Sequence, residues 1–176
     1  MILGFIITQE KVLTAFIGAT AALLLKHFYD EFKERIRLRE IRKMIYLDLV
    51  QQRSVAESKL EHCQYLKGKL ESGDDNEFEL KQWDLFSLTV FKSHQIRDYY
   101  KTFTNSLYLK MSQIYLVIEQ HKTTHFKDAI TAYINDGKNA SDKRFLIHNL
   151  TTYSQSLEYT IRNIRIFLEE YRDEYF

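Results

Sequence analysis

The sequence predicts an all-α protein in which an N-terminal apolar helix continues into a long amphipathic helix. This helix packs with two further long helices and one short helix as an elongated bundle. Three observations support the prediction. The 176 residues include no proline, so nothing obliges a helix to break. Only five glycines are present, which leaves few positions for left-handed turns. Apolar residues recur every three or four positions along most of the chain, as in amphipathic helices.

Composition excludes several classes of function. The net charge of +1 provides no field that would attract nucleic acid, and we predict no nucleic-acid partner. The one cysteine, Cys63, excludes an intrachain disulfide and an all-cysteine metal site. No glycine-rich phosphate loop is present, and we expect no cofactor.

The most apolar stretch of the chain is the run of fourteen uncharged residues at 12–25. Ala15 and Ala19 lie four residues apart, and so do Gly18 and Ala22. This spacing of small residues lets helix backbones approach closely within lipid, so we predict helix packing and oligomerisation through these four residues. The run falls short of the ~20 residues that cross a bilayer. A single transmembrane helix is the preferred interpretation, with a cleaved signal peptide and a protein-buried helix as alternatives.

Basic residues follow the apolar run and predict its orientation. Seven lie within residues 26–43, whereas one lysine precedes the run. The positive-inside rule therefore places the C-terminal body in the cytoplasm. The end of the apolar run divides the chain into an apolar segment at 1–26 and a helical bundle at 27–176. Four residues are predicted to contact anionic head groups: Lys26, Lys33, Arg35 and Arg37. A solvated helix face is the alternative, because acidic residues are interleaved with them.

The remaining elements follow from periodicity and stop signals. The first helix is predicted to begin near Gln9 and to end near Glu71, before a polar cluster that includes Gly73. A second helical region begins at Asn76 and extends to about residue 120, as one bent helix or as two. A short helix covers 126–135, and Ser141 caps a final long helix.

The candidate catalytic and metal-binding residues are few. His121 and His125 lie four residues apart and can share a metal on one helix face, but no third ligand is near, so we predict no metal site. Cys63 lies on an apolar stripe, which is typical of an inert thiol. Arg144 and His148 resemble in part the arginine–histidine pair of helical ribonucleases, with three intervening residues instead of four to six. We predict that the protein is not an enzyme.

These observations lead to one expected function and two alternatives. We expect a non-catalytic, membrane-anchored helical subunit that oligomerises or scaffolds a partner protein, with the lipid bilayer, a second copy or another protein as partners. This plan resembles that of small single-span accessory subunits in bacterial stress and phage-defence operons. The first alternative is a soluble helical subunit of a larger complex, with its apolar N-terminal helix buried in a partner. The second is a degenerate helical ribonuclease-like domain.

Overall fold

The chain is all-helical. The computed structural model describes residues 2–73, 78, 86–122 and 126–175, and for 2–11, 13, 122 and 127 among them the helical backbone alone. No strand occurs in this described part, so the predicted all-α class is confirmed. In chain order the helices are α1 (Ile2–Ser72), α2 (Thr89–Lys92), α3 (Ile96–Thr102), α4 (Asn105–Lys122), α5 (Lys127–Asn135) and α6 (Ala140–Tyr175).

The prediction of a single membrane span, with the C-terminal body in the cytoplasm, is wrong. Within the residues that the structure describes, no helix has an apolar stretch long enough to cross a membrane. The physical reason is length, because fourteen residues at 1.5 Å each rise about 21 Å against a hydrocarbon core of about 30 Å. Beyond the run, α1 continues through Lys26 into its charged part without interruption.

Helix α1 belongs to two structural units. The chain divides into Met1–Ile41, here called unit 1, and Arg42–Phe176, called unit 2. The boundary predicted at residue 26 marks the end of the apolar run and stays a prediction. Among the side chains of unit 1 that the structure describes, only Ile41 is buried. The hydrophobic core of the described chain therefore lies in unit 2.

Helices α4 and α6 pack against each other in opposite directions. His121, at the end of α4, contacts Thr160 of α6 at 3.1 Å between Nε2 and Oγ1. Lys110, about three turns earlier in α4, donates to Glu170 near the end of α6. Residue numbers thus rise along α4 while they fall along α6, which is antiparallel packing.

The part of α1 in unit 2 also runs antiparallel to α6. The rings of Tyr46 and Tyr171 lie 5.3 Å apart between centroids. One turn earlier in α1, the Arg42 guanidinium lies 4.6 Å from the centre of the Tyr175 ring. Helices α1 and α4 consequently run in the same direction, with α6 reversed, and together they form a helical bundle. Its buried apolar residues include Ile45, Leu49, Leu66, Leu70, Met111, Ile118, Leu150, Leu157, Ile164 and Phe167.

The segment before α4 differs from the helix predicted there. Asn76 lies outside the described residues, and between 86 and 104 only the short α2 and α3 form. Tertiary and local side-chain bonds replace helical ones at this point. The Gln52 amide binds Ser87 twice, accepting from its N–H at 3.3 Å and donating to its carbonyl at 2.7 Å. The Ser93 hydroxyl donates to the Val90 carbonyl at 2.7 Å, a local bond that competes with helix continuation.

Helix ends follow the local signals with two exceptions. Gly73 and Gly137 adopt φ of 75° and 74°, the left-handed conformation that terminates helices, as predicted. Helix α6 is capped by Asn139, whose Oδ1 accepts from the N–H of Ser141 at 2.9 Å, so the cap predicted at Ser141 is displaced by two residues. Helix α1 begins at Ile2 rather than near residue 9, because no proline between residues 2 and 9 interrupts the helical backbone.

Candidate functional site

Unit 1 exposes a large set of apolar side chains, here called the apolar surface. Ten large residues between 12 and 36 each have exposed fractions from 48% to 70%. Large exposed apolar patches are rare on monomeric proteins, and they mark interaction sites. The members of the apolar surface are Val12, Phe16, Ile17, Leu23, Leu24, Leu25, Phe28, Tyr29, Phe32 and Ile36.

The four predicted packing residues lie within the same segment. Ala15, Gly18, Ala19 and Ala22 are all exposed. A Cβ added at Gly18 would meet no atom within 4 Å, so the structure gives this glycine no intrachain packing role. At 100° per residue the four positions fall within about 100° of the helix circumference. Their role in helix association stays a prediction.

The four predicted membrane-surface residues are exposed, and two of them are ion-paired within α1. Arg35 contacts Glu31 at 2.6 Å, one turn away, and Arg37 contacts Glu34 at 3.0 Å. Exposed pairs at this spacing stabilise a helix by a few tenths of a kcal/mol each. This arrangement is that of a solvated charged helix surface. No contact in the described structure tests the predicted role of Lys26, Lys33 and the two arginines at a membrane.

A buried carboxylate joins α1 to α4 within unit 2. Asp48 is 7% exposed and accepts from the Tyr115 hydroxyl and from the Gln52 amide, at 3.2 Å. Burial, followed by the charge of Asp48 and its hydrogen bond, raises the pKa of Tyr115. The phenol therefore keeps its proton and serves as a donor. Because Gln52 also holds Ser87, this network fixes the connecting segment to α1.

A second buried polar group is His121, which is 3% exposed. Thr160 Oγ1 donates to the Ser156 carbonyl at 2.9 Å, so its lone pairs accept from His121, and Nε2 carries the proton. Burial, followed by the Lys59 ammonium, lowers the pKa of His121. The imidazole is therefore neutral near pH 7, with the Phe86 ring stacked at 5.7 Å between centroids.

A cleft of about 400 Å³ opens beside His121. Tyr153 lies on its wall, and burial followed by the nearby Cys63 raises the pKa of this phenol. The lining thus combines a neutral imidazole and a protonated phenol with amides and hydroxyls, and its described members include no carboxylate. The lining residues are Gln120, His121, Phe126, Asn149, Thr152, Tyr153 and Ser156.

The remaining sequence candidates are not brought together. His125 lies outside the described residues, and within them no group of three or more His, Cys, Asp or Glu side chains could hold a metal. Burial raises the pKa of the Cys63 thiol to about 12, although Lys59 lowers it, so the nucleophilic thiolate does not form near neutral pH. Arg144 and His148 are exposed one turn apart on α6, and no side-chain hydrogen bond joins either to another described residue.

A scan of protein-family models gives no match, and searches of curated proteins and of solved structures give none either. The expected link to stress or phage defence therefore gains no support and stays a prediction.

The sequence carried one signal that its interpretation missed. Asp48, Gln52 and Lys59 follow one another along the apolar stripe of α1 at spacings of four and seven residues, and each is buried. Polar residues at stripe positions of a helix must find partners inside the core. Their positions could have identified the places where α1 meets a polar tertiary contact, although not the partners.

Proposed function

We propose that the chain is a non-catalytic subunit of a protein assembly, which it joins by burying the apolar surface of unit 1 against protein. One observation carries the proposal: ten large apolar side chains are 48% to 70% exposed, while unit 1 buries only Ile41 among its described side chains. A helix that is apolar around most of its circumference is found buried. Nothing described in unit 1 covers this one.

The energy available from such burial is large. Full burial of a Leu or Phe side chain contributes about 1.5–3 kcal/mol, so four of the ten contribute roughly 6–12 kcal/mol. Association costs an estimated 4–15 kcal/mol in lost freedom of motion. An interface must therefore cover most of the ten side chains to exceed this cost across its whole range.

The side chains that could serve as nucleophile or as acid–base catalyst are in states that support a non-catalytic role. Cys63 is held as a buried thiol. His121 is neutral and bonded to Thr160. His148 is exposed, and no described residue forms the hydrogen bond that would orient it for general acid–base catalysis.

Native mass spectrometry of the chain, isolated with its associates, tests the proposal. We expect an assembly for the wild type and its loss in the triple variant Phe16→Ser, Leu24→Ser, Phe28→Ser. The matched control replaces Leu109, Leu116 and Phe145, which are 58%, 59% and 64% exposed in unit 2, with Ser. This control should keep the assembly. A wild-type chain that is a lone monomer in the cell extract would refute the proposal.

A further inference from the structure

One face of the apolar surface has the spacing of a coiled coil. Seven exposed residues follow one another at alternating intervals of three and four, whose mean of 3.5 is the coiled-coil repeat. The four larger members are 48% to 70% exposed. Arg39 occupies the next position in the series and ends it. This heptad seam consists of Ala15, Gly18, Ala22, Leu25, Tyr29, Phe32 and Ile36.

The residues that flank the seam carry an asymmetric pattern of charge. One flank holds Lys26, Lys33 and Glu40, and the other holds Phe28 and Arg35. In a parallel, in-register pair of identical helices, each residue of the flank that holds Phe28 and Arg35 faces the residue five positions later on the other copy. Arg35 then faces Glu40, twice by symmetry, and Phe28 faces Lys33. No like charges meet at these flank positions.

An antiparallel pair brings each flank against itself. When the two seams overlap fully in the antiparallel direction, Lys26 faces Lys26 of the second copy and Glu40 lies beyond the overlap, without a basic residue opposite it. Like charges in contact are destabilising. The charge pattern therefore discriminates between the two directions of pairing.

We infer that the partner of the apolar surface is a second copy of this chain, held in a parallel, in-register coiled coil along the heptad seam. The inference rests on the proposed function and names its partner. At one end of the seam Ala15, Gly18 and Ala22 allow close approach of the two backbones, and the open space around Gly18 leaves room for the second helix. At the other end Tyr29 and Phe32 supply the larger contact area.

The attraction between Arg35 and Glu40 exists only between copies. Five residues along one helix correspond to a rotation of about 140°, so the two side chains do not face each other within a chain. Arg35 already contacts Glu31 at 2.6 Å, with its side chain 75% exposed. A guanidinium has five donors and can bind a second carboxylate.

Disulfide formation between introduced cysteines tests the direction and register. In a parallel, in-register pair, Ala15→Cys and Ile36→Cys each cross-link to themselves. The control is His27→Cys, on the opposite side of the helix from the seam, which should not cross-link. The native Cys63 is fully buried and does not interfere.

The outcomes separate the inference from the proposed function. Self-cross-linking of both seam variants, with the control silent, is the expected result. Cross-linking only when Ala15→Cys is mixed with Ile36→Cys indicates an antiparallel pair and overturns the inference. Assembly without any cross-link indicates a different partner protein, which overturns the inference and leaves the proposed function standing. Absence of any assembly overturns both.

A charge exchange provides an independent test. Sedimentation equilibrium of Arg35→Glu and of Glu40→Arg should each show a dissociation constant about tenfold higher, because two attractive pairs become repulsive. The double variant restores opposite charges across the interface and should return most of the affinity. A double variant as weak as either single variant would overturn the inference, since recovery cannot arise within one chain.

Discussion

The hydrogen bond from Tyr115 to Asp48 is expected to contribute substantially to the free energy of unfolding of unit 2. Tyr115 is 1% exposed and Asp48 is 7% exposed, so water does not replace the bond when it is removed. Tyr115→Phe removes the hydroxyl and leaves the ring, which the Phe91 ring stacks at 4.3 Å between centroids. The substitution therefore tests the hydrogen bond with little change in packing.

The expected magnitude follows from the charge on the acceptor. A hydrogen bond to an ionised group contributes about 1.5–3 kcal/mol. After the substitution Asp48 still accepts a hydrogen bond from the Gln52 amide at 3.2 Å. The expected loss of stability therefore lies near the middle of that range. We expect the free energy of unfolding to fall by about 2 kcal/mol, which lowers the urea midpoint by roughly 1 M at an m-value of about 2 kcal/mol/M.

Urea denaturation followed by circular dichroism measures this change, and the m-value should remain the same. The matched control is Tyr159→Phe, since Tyr159 is 53% exposed, and a surface change of this kind stays within about 0.5 kcal/mol. In an Asp48→Ala background, Tyr115→Phe removes a buried hydroxyl that has lost its acceptor, so it should be neutral or stabilising. An equal loss in both backgrounds would refute the reasoning.

Two further predictions concern buried titratable groups of unit 2. Burial raises the pKa of Cys63 to about 12, so iodoacetamide should label this thiol at pH 8 only as urea unfolds the chain. The exposed cysteine of the His27→Cys variant should be labelled at once. Rapid labelling of Cys63 in the native protein would contradict the buried position. For His121, burial and Lys59 lower the folded-state pKa below the ordinary 6.5, so the unfolded state binds the proton first. Stability should therefore fall as the pH drops below about 6.5, and His121→Gln should reduce this acid sensitivity; an unchanged pH profile of unfolding would contradict it.

The fold class could be read from the sequence because its determinants are local. The absence of proline, the period of three to four residues and the glycines at 73 and 137 act on the backbone within a few residues of themselves. Burial of Leu49, Leu150 and Leu157 follows from the same period. These features predict helices and their apolar faces wherever the helices pack.

Apolarity alone could not say what covers the run at 12–25. A helix that spans lipid and a helix that is buried in protein have the same kind of composition, and they differ chiefly in length. The exposure of Leu25, Tyr29 and Phe32 is seen only in the structure. Together with their heptad spacing it favours a protein partner.

By itself the sequence determined an all-helical chain, the positions of its main stops and a strongly apolar N-terminal segment. Only the tertiary structure decided that Asp48 meets Tyr115, that Gln52 holds Ser87 out of a helix, and that His121 is neutral. The physical reason is range. Helix propensity and periodicity act between neighbours in the chain, whereas these bonds join residues 35 or more positions apart, and a protonation state depends on everything packed around the group.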